Sequence, residues 1–193
     1  MKNTIKELII SIVFIVLFIS NVICNPRVAI VGNSQAYYMA KAVNVDDNVN
    51  NICRTNNAVG GTFIWSPDIE ISTFPYRAHN YDDCILFFGT NELLNNFTFK
   101  DYFDYFVYFT KEIHYNNPEM IIKVIEIPKV KGYKQYDDII KGWNYLLNLY
   151  IEQVEYLDYV KIPNNPTFKD YIHLDDNTLI KIYNNALGGK NNV

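Results

Sequence analysis

The sequence predicts an α/β fold in which helices cover both faces of a mainly parallel, five-stranded sheet. From Arg27 onward, short apolar runs of strand length alternate with longer amphipathic runs, an order typical of parallel strands joined by crossover helices. The chain has 193 residues, 49% of them hydrophobic and 20% charged, which suits one globular domain of ordinary composition.

Five segments have the length and apolar content of strands. The first reads VAIV, which is short and rich in branched residues. The third reads DCILFFG and holds five apolar residues in succession, which suits a strand covered on both faces. The predicted strands are 28–31, 49–55, 83–89, 120–128 and 158–163.

Four segments have the spacing of amphipathic helices, and the last of them stops at Gly188. The predicted helices are 35–43, 101–115, 137–157 with an interruption near Gly142, and 175–189. The second is strongly aromatic. Helical spacing places on one of its faces Phe103, Phe106, Val107, Thr110 and Ile113.

Residues 1–24 have the layout of a secretory signal peptide. A head with two lysines precedes an apolar middle within residues 8–23, and a cleavage site after Cys24 completes the pattern. The apolar run is shorter than the about 20 residues of a spanning helix, which favours cleavage over a membrane anchor. We therefore expect residues 25–193 to form the mature, extracytoplasmic domain, with anchoring through residues 8–23 as the alternative.

The charge distribution argues against a nucleic-acid partner. The formal net charge is -4, and the sequence lacks the clustered basic residues that nucleic-acid binding needs.

Asn96 begins a glycosylation sequon, Asn-Phe-Thr, which is usable only in a eukaryotic host.

Polar residues follow four of the predicted strands, where the reactive groups of a parallel sheet collect. They are Ser34, the pair Gly60 and Gly61, the segment 89–92, and the segment 170–173. A serine, a histidine and a carboxylate are what acyl transfer needs as nucleophile, base and orienting group. Glycine and asparagine amides are what stabilises the oxyanion of its tetrahedral intermediate.

Each of these groups also has a structural explanation when taken alone. Gly-Asn-Ser is compatible with an Asx turn or a helix cap, and Gly-Gly with a flexible turn. We assign His79 and His114 to packing or to the surface. The joint pattern favours one site, because four separate loops supply the complementary parts of one reaction.

The chain resembles the SGNH hydrolases, also called GDSL esterases and lipases, from Val28 to about Leu187. The four blocks of that family are matched in order by VGNSQ, NAVGGTF, FGTNEL and DYIHL. The resemblance implies a flavodoxin-like, three-layer α/β/α sandwich with strand order 2-1-3 at its start. It also implies ester hydrolysis that needs neither a metal nor another cofactor.

The resemblance assigns a role to one residue in each of the first three blocks and to two residues in the fourth. It implies a triad of Ser34, Asp170 and His173. It implies an oxyanion hole built from the Ser34 amide, the side chain of Asn91 and the amide of Gly61, the glycine that aligns better than Gly60.

The sequence departs from the family pattern at two positions. Asn33 stands where the family usually has aspartate, and Glu92 stands where the third block usually has aspartate. Asn33 can make the same side-chain-to-backbone turn bond as aspartate, so we expect retained geometry with an altered charge near Ser34. Glu92 is one methylene longer, and we expect it to matter less.

The leading functional hypothesis is a serine esterase acting on small acyl esters, with O-acetylated carbohydrate ahead of lipid. The preference for carbohydrate rests on Phe63 and Trp65, which lie near Gly61 in the sequence and can stack on a sugar, although aromatic residues are more often part of the core. The substitution at Asn33 motivates an alternative, a catalytically weak binding module that keeps the cleft. A retained N-terminal anchor would favour an acyltransferase using the same triad.

Cys53 and Cys84 are predicted to be free, largely buried thiols once Cys24 leaves with the signal. In the implied strand order their strands flank the first strand, about 9.6 Å apart at a spacing of about 4.8 Å. A disulfide rarely spans more than about 7 Å between α-carbons. A mass gain of two hydrogens on reduction would refute this prediction.

Overall fold

Strands and helices alternate along the chain in the computed structural model, which describes residues 27–43, 49–53, 64 and 69–188. The strands are Val28–Gly32 (β1), Val49–Cys53 (β2), Asp83–Phe87 (β3), Ile121–Ile125 (β4) and Leu157–Val160 (β5). The helices are Ser34–Ala42 (α1), Ile69–Arg77 (α2), Thr90–Leu94 (α3), Phe99–Asn116 (α4), Asp137–Ile151 (α5) and Asp176–Ala186 (α6). Two single 3₁₀ turns cover Ala78–Asn80 and Lys134–Tyr136.

The five strands form one sheet in the order β2-β1-β3-β4-β5, and every neighbouring pair is parallel. This confirms the predicted parallel sheet and its 2-1-3 start. Gly32 at the end of β1 lies opposite Phe87 at the end of β3. The loops that follow these two strands therefore begin side by side at the carboxyl edge of the sheet.

The sheet is covered on both faces, which gives the predicted three layers. Alternate residues of β3 point to opposite sides, because side chains alternate along a strand. Cys84 and Leu86 belong to a core shared with α2, α4 and α5. Ile85 and Phe87 belong to a second core shared with α1 and α6. The continuous apolar run in this strand thus reflects burial on both faces.

Helix α2 is the main element that the sequence did not predict. Its sequence, IEISTFPYR, contains Pro75 and several β-branched residues, which disfavour a helix on propensity alone. Topology nevertheless favours a helix here, because parallel strands need a crossover connection and that connection is usually helical. Ile71 and Phe74 are fully buried in the core, so tertiary packing stabilises this helix.

The core-facing side of α4 is wider than the predicted face. Phe106, Thr110 and Ile113 are buried, and Phe103 and Val107 are half-buried and pack against the same core. Tyr102 and Phe109, which the prediction did not include, are buried as well. The reason is packing on two sides. The ring of Tyr102 stacks on Trp143 of α5 with centroids 5.6 Å apart, whereas Phe109 lies 6.4 Å from Phe74 of α2.

Helix α5 differs from the predicted segment at its end and in its middle. It ends at Ile151 rather than at residue 157, and it runs without interruption through Gly142. A side chain added at Gly142 would meet nothing within 4 Å. This glycine therefore lies on an open face of the helix and does not interrupt it.

Cys84 is buried and forms no disulfide. The backbone register places Cys84 opposite Ala29 and Cys53 opposite Gly32, so the two cysteines lie on either side of β1 and three residues apart along it. This separation adds about 10 Å along the strands and supports the predicted absence of a bridge between them. The side chain of Cys53 is outside what the structure describes.

Two further predictions concern the histidines and the N-terminus. His114 stacks on Tyr156 with ring centroids 3.9 Å apart, as the packing interpretation expects, and His79 lies in the 3₁₀ turn before β3. The predicted signal or anchor, residues 1–24, lies outside the described residues. Among the residues that are described, no helix is both long enough and apolar enough to cross a membrane.

Candidate active site

Ser34 is the first residue of α1 and follows the tight turn at the end of β1. Only glycine fits at position 32, because an added β-carbon would lie 2.3 Å from the carbonyl oxygen of Phe87. The side-chain oxygen of Asn33 accepts a hydrogen bond from the Gln35 amide at 3.0 Å and caps the helix. Asn33 therefore makes the turn bond expected of aspartate, and Ser34 is left half-buried at the helix start.

The structure brings together the three residues of the predicted triad. The Ser34 Oγ lies 3.0 Å from His173 Nε2, and His173 Nδ1 lies 2.7 Å from an Asp170 carboxylate oxygen. Both distances are within hydrogen-bonding range. A hydroxyl, an imidazole and a carboxylate are thus connected in the order that an activated nucleophile requires.

A short hairpin presents Asp170 and His173. It is closed by the bridge between Phe168 and Leu174 and by the Lys169 amide, which donates to the His173 carbonyl at 3.1 Å. Inside the turn, one oxygen of Asp170 accepts the amides of Ile172 at 2.8 Å and of His173 at 2.7 Å. One carboxylate oxygen therefore shapes the turn while the other holds the imidazole.

These contacts determine the charge of Asp170. Desolvation raises the pKa of this carboxyl, but the hydrogen bonds from the backbone and ring of His173 and from the Ile172 amide outweigh it and lower the pKa to about 2. Asp170 is consequently ionised at neutral pH, which is the state that orients an imidazole and stabilises its cation.

Gln35 holds the hairpin on both sides of His173. Its side-chain nitrogen donates to the Ile172 carbonyl at 2.8 Å, and its side-chain oxygen accepts from the Leu174 amide at 3.3 Å. Gln35 is fully buried. Because it directly follows Ser34, this one side chain fixes the backbone around the base relative to the nucleophile. This role of Gln35 was not identified in the sequence analysis. A polar residue on the otherwise apolar, buried face of α1 was the available signal.

The ring of His173 also packs on α1. Tyr38, one turn after Ser34, meets the imidazole edge-on with centroids 4.8 Å apart. The ammonium of Lys169 lies 2.7 Å from the centre of the Tyr38 ring, in a cation–π contact. The imidazole is therefore oriented by ring packing as well as by hydrogen bonds.

The other half of the predicted site follows β3. Asn91 lies in the first turn of α3 and is buried, next to Gly89, whose φ of 105° favours glycine. The described residues exclude Gly60, Gly61, Phe63 and Trp65, so the predicted oxyanion glycine and the predicted stacking residues remain untested. Neither half of the site, within the described ranges, contains three or more His, Cys, Asp or Glu residues grouped to hold a metal ion.

Glu92 connects the Asn91 turn to the segment that contains the predicted glycines. One of its oxygens accepts from the Gly89 amide at 2.8 Å, and the other accepts from the Ile64 amide at 2.9 Å. Ile64 lies three residues after Gly61. Glu92 therefore holds two backbone segments together, whereas this substitution was expected from the sequence to matter little.

The carboxyl group of Glu92 is fully buried. Desolvation raises its pKa to about 7, although the hydrogen bonds from the Ile64 and Gly89 amides act in the opposite direction. The net result is a buried acid that changes its charge near neutral pH.

Solved structures resemble this chain, although no protein-family model matches it and no curated protein matches it significantly. A Streptococcus pneumonia protein assigned as a platelet activating factor has a TM-score of 0.58 and 13% identity, over 86% of this chain and 83% of that chain. A family 3 carbohydrate esterase from Talaromyces cellulolyticus has a TM-score of 0.57 and 12% identity, over 86% and 96%. The family 3 carbohydrate esterase of Clostridium thermocellum has a TM-score of 0.51 and 15% identity, over 83% and 94%. Together with the sheet order, these similarities show that the chain has the SGNH hydrolase fold.

Proposed function

We propose that the protein is a serine esterase that hydrolyses small acyl esters. The observation that carries the proposal is the continuous hydrogen-bonded chain from Ser34 through His173 to Asp170. Two of the solved structures that share its fold are named carbohydrate esterases, which supports the same reaction class. The similarity in sequence is low, so the site geometry is the stronger support.

The proposed mechanism uses each member of this chain in one role. His173 Nε2 takes the proton of Ser34 as the hydroxyl oxygen attacks the ester carbonyl, and it later gives the proton to the leaving alcohol. Asp170 holds the Nδ1 proton and stabilises the imidazolium. In the second half, His173 deprotonates a water molecule as its oxygen attacks the acyl-enzyme carbonyl. The bond from the acyl carbon to Ser34 Oγ then breaks, His173 returns the proton to Ser34 Oγ, and the acid is released.

The negative charge on the carbonyl oxygen needs donors that are in place beforehand. The backbone amide of Ser34 lies at the start of α1, where the helix dipole favours negative charge. The side-chain amide of Asn91 follows the neighbouring strand β3. Gly61 completes the proposed oxyanion hole.

Within this reaction class, we favour O-acetylated carbohydrate over lipid as the substrate. The names of the two carbohydrate esterases with this fold point in that direction. Phe63 and Trp65 remain the proposed stacking residues for a sugar ring. The mature form would be residues 25–193, released outside the cytoplasm.

The decisive experiment compares the wild type with Ser34→Ala, using the full chain and residues 25–193. A matched control is Ser72→Ala, because Ser72 is exposed on α2. The wild type and the control should hydrolyse short-chain aryl esters and should be labelled by a fluorophosphonate. Ser34→Ala should lose labelling and about 10⁴-fold or more of the turnover. Equal turnover in the wild type, Ser34→Ala and Ser72→Ala would contradict the proposal.

A second candidate, a weakly catalytic binding module, is favoured by one observation at Asn33. The side-chain nitrogen of Asn33 is buried without a hydrogen-bond partner among the described residues, in a place where an aspartate would carry a second oxygen. The result that supports this candidate is tight binding of an acetylated sugar by the wild type without measurable acetate release.

A further inference from the structure

The segment after β4, residues 126–134, connects the two halves of the candidate site. At one end, Ile127 packs on Gly89, because a β-carbon added to Gly89 would lie 2.5 Å from the Ile127 Cδ1. At the other end, Gly132 packs on Tyr171, whose ring Cδ1 lies 3.1 Å from a β-carbon added there. Tyr171 lies between Asp170 and His173. The segment therefore runs from the turn of Asn91 to the turn of His173.

The backbone of this segment is held firmly at its start. The side chain of Asn144 donates to the Ile127 carbonyl and accepts from the Ile127 amide, both at 2.9 Å. Both bonds are buried, and Val130 is buried as well, with 2% exposure. Side chains that project from this segment thus start from a fixed backbone.

Three of those side chains are lysines. Lys129, Lys131 and Lys134 are all exposed, and none of them has a carboxylate within 4.0 Å among the described residues. They line a groove of about 500 Å³ that also contains Asp137. Three positive charges against one negative charge stand out in a chain with a formal net charge of -4.

The opposite wall of the groove belongs to the arm that leads into the catalytic hairpin. Pro166, Thr167 and Phe168 line it, and Phe168 forms the bridge that closes the hairpin. The groove volume is in the usual range for small-ligand sites. A proline and a phenylalanine that line the same groove as three lysines suit a ligand that has both an apolar surface and a negative charge.

We propose that this groove binds a carboxylate on the alcohol half of the ester, so that the substrate is an acylated acidic sugar. The inference rests on the proposed function and names its substrate class. The acyl group lies at Ser34, and the sugar extends along the segment from Gly89 toward Tyr171. Its carboxylate then meets Lys129, Lys131 and Lys134.

Three ligands that differ at one carbon test this inference. They are an O-acetylated methyl glucoside, the matching glucuronoside with a carboxylate at C6, and the matching glucoside 6-phosphate. Dissociation constants are measured on the full chain carrying Ser34→Ala, so that binding is read without turnover. The test variant adds Lys129→Gln, Lys131→Gln and Lys134→Gln. The control adds Lys111→Gln, Lys141→Gln and Lys181→Gln, which change the net charge equally at exposed helix positions.

At low salt, the glucuronoside should bind about tenfold more tightly than the neutral glucoside. The test variant should lose this preference, the control should keep it, and 0.5 M salt should weaken it because screening shortens the reach of exposed charges. Equal binding of the two ligands, or an unchanged preference in the test variant, would overturn the inference. Tighter binding of the 6-phosphate than of the glucuronoside would overturn its assignment to a carboxylate.

A separate measurement, of hydrolysis, distinguishes failure of the esterase proposal from failure of the groove proposal. With Ser34 restored, the test variant should hydrolyse a neutral aryl acetate within about twofold of the wild type, because no groove lysine belongs to the triad. A neutral ester that neither protein hydrolyses would overturn the esterase proposal, whereas the anion preference in binding is measured independently of it.

Discussion

Gln35 and Glu92 occupy corresponding places on the two sides of the site. Gln35 directly follows the proposed nucleophile, Ser34, and Glu92 directly follows Asn91. Both side chains are completely buried, and each forms hydrogen bonds to two backbone groups. Gln35 holds the hairpin of His173, whereas Glu92 holds Gly89 and the segment at Ile64.

The two differ because the backbone groups they satisfy differ. The hairpin offers one carbonyl and one amide, which match the donor and the acceptor of a side-chain amide. Gly89 and Ile64 offer two amides, which match the two acceptor oxygens of a carboxylate. The His173 side is therefore held by a neutral group at every pH, while the Asn91 side is held by a buried acid with a pKa of about 7.

The largest effect is expected from Asp170→Asn, which breaks the His173 side at its charged member. An amide cannot stabilise the imidazolium, and it favours the wrong tautomer of the ring, so turnover should fall by about 10⁴-fold. Steady-state hydrolysis of an aryl acetate measures this. Asp138→Asn is the control, since Asp138 is exposed on α5. A loss below tenfold would show that Asp170 does not orient the base.

Gln35→Leu should have the next largest effect. Leucine leaves the Ile172 carbonyl and the Leu174 amide unpaired, which costs about 1–3 kcal/mol for each buried group. A hairpin displaced by about 1 Å should lower kcat by up to about 100-fold. We expect KM to change little, because Gln35 is buried beneath the site.

Gln35→Glu separates positioning from general destabilisation. An ionised glutamate keeps the acceptor for Leu174 but loses the donor to Ile172, and protonation restores that donor. The turnover of this variant relative to the wild type should therefore rise as the pH falls from 8 to 6. A ratio that stays constant over this range would count against positioning by Gln35.

The residues of the proposed triad were predictable because their signal is local. Ser34, Asp170 and His173 each follow a predicted strand in the sequence, and their residue types are complementary. The parallel sheet followed from the alternation of short and long apolar runs, whereas its 2-1-3 start was implied by the resemblance to the SGNH hydrolases. Because β1 and β3 are parallel, the loops that follow them lie at the same, carboxyl edge of the sheet.

The hydrogen-bond partners of Gln35 and Glu92 were not predictable, because they are backbone groups and, except for the Gly89 amide, lie far away in the sequence. Gln35 bonds to groups 137 and 139 residues away, and a backbone amide or carbonyl leaves no mark on residue type. Glu92 was seen only as a longer aspartate for the same reason. Helix α2 was missed because its local propensity opposes the conformation that packing and topology impose.

Glu92→Gln tests the pH sensitivity of the Asn91 side of the site. The pKa of Glu92 is raised by folding from 4.5 to about 7, so the folded state binds the proton more tightly than the unfolded state. The wild type should therefore lose stability as the pH rises from about 4.5 to about 7. The variant has no proton to release, and its free energy of unfolding should fall less over that interval.

Urea unfolding at pH 5 and pH 8 measures this difference, with Glu119→Gln as the exposed control. At pH 8 the variant should also lose about tenfold in turnover, because glutamine can accept only one of the two amides. The same loss of stability between pH 5 and pH 8 in both proteins would show that Glu92 does not titrate there.

The smallest effect is expected from Asn33→Asp, which introduces the residue that the SGNH hydrolases, which the sequence resembles, usually have at this position. The bond to the Gln35 amide needs only one side-chain oxygen, and asparagine and aspartate cap helices about equally well. Turnover of an aryl acetate should therefore change by less than about threefold. The second oxygen replaces a nitrogen that has no partner among the described residues, so no hydrogen bond is lost. A gain of more than tenfold would mean that Asn33 limits the reactivity of Ser34, and it would favour the binding module over the esterase.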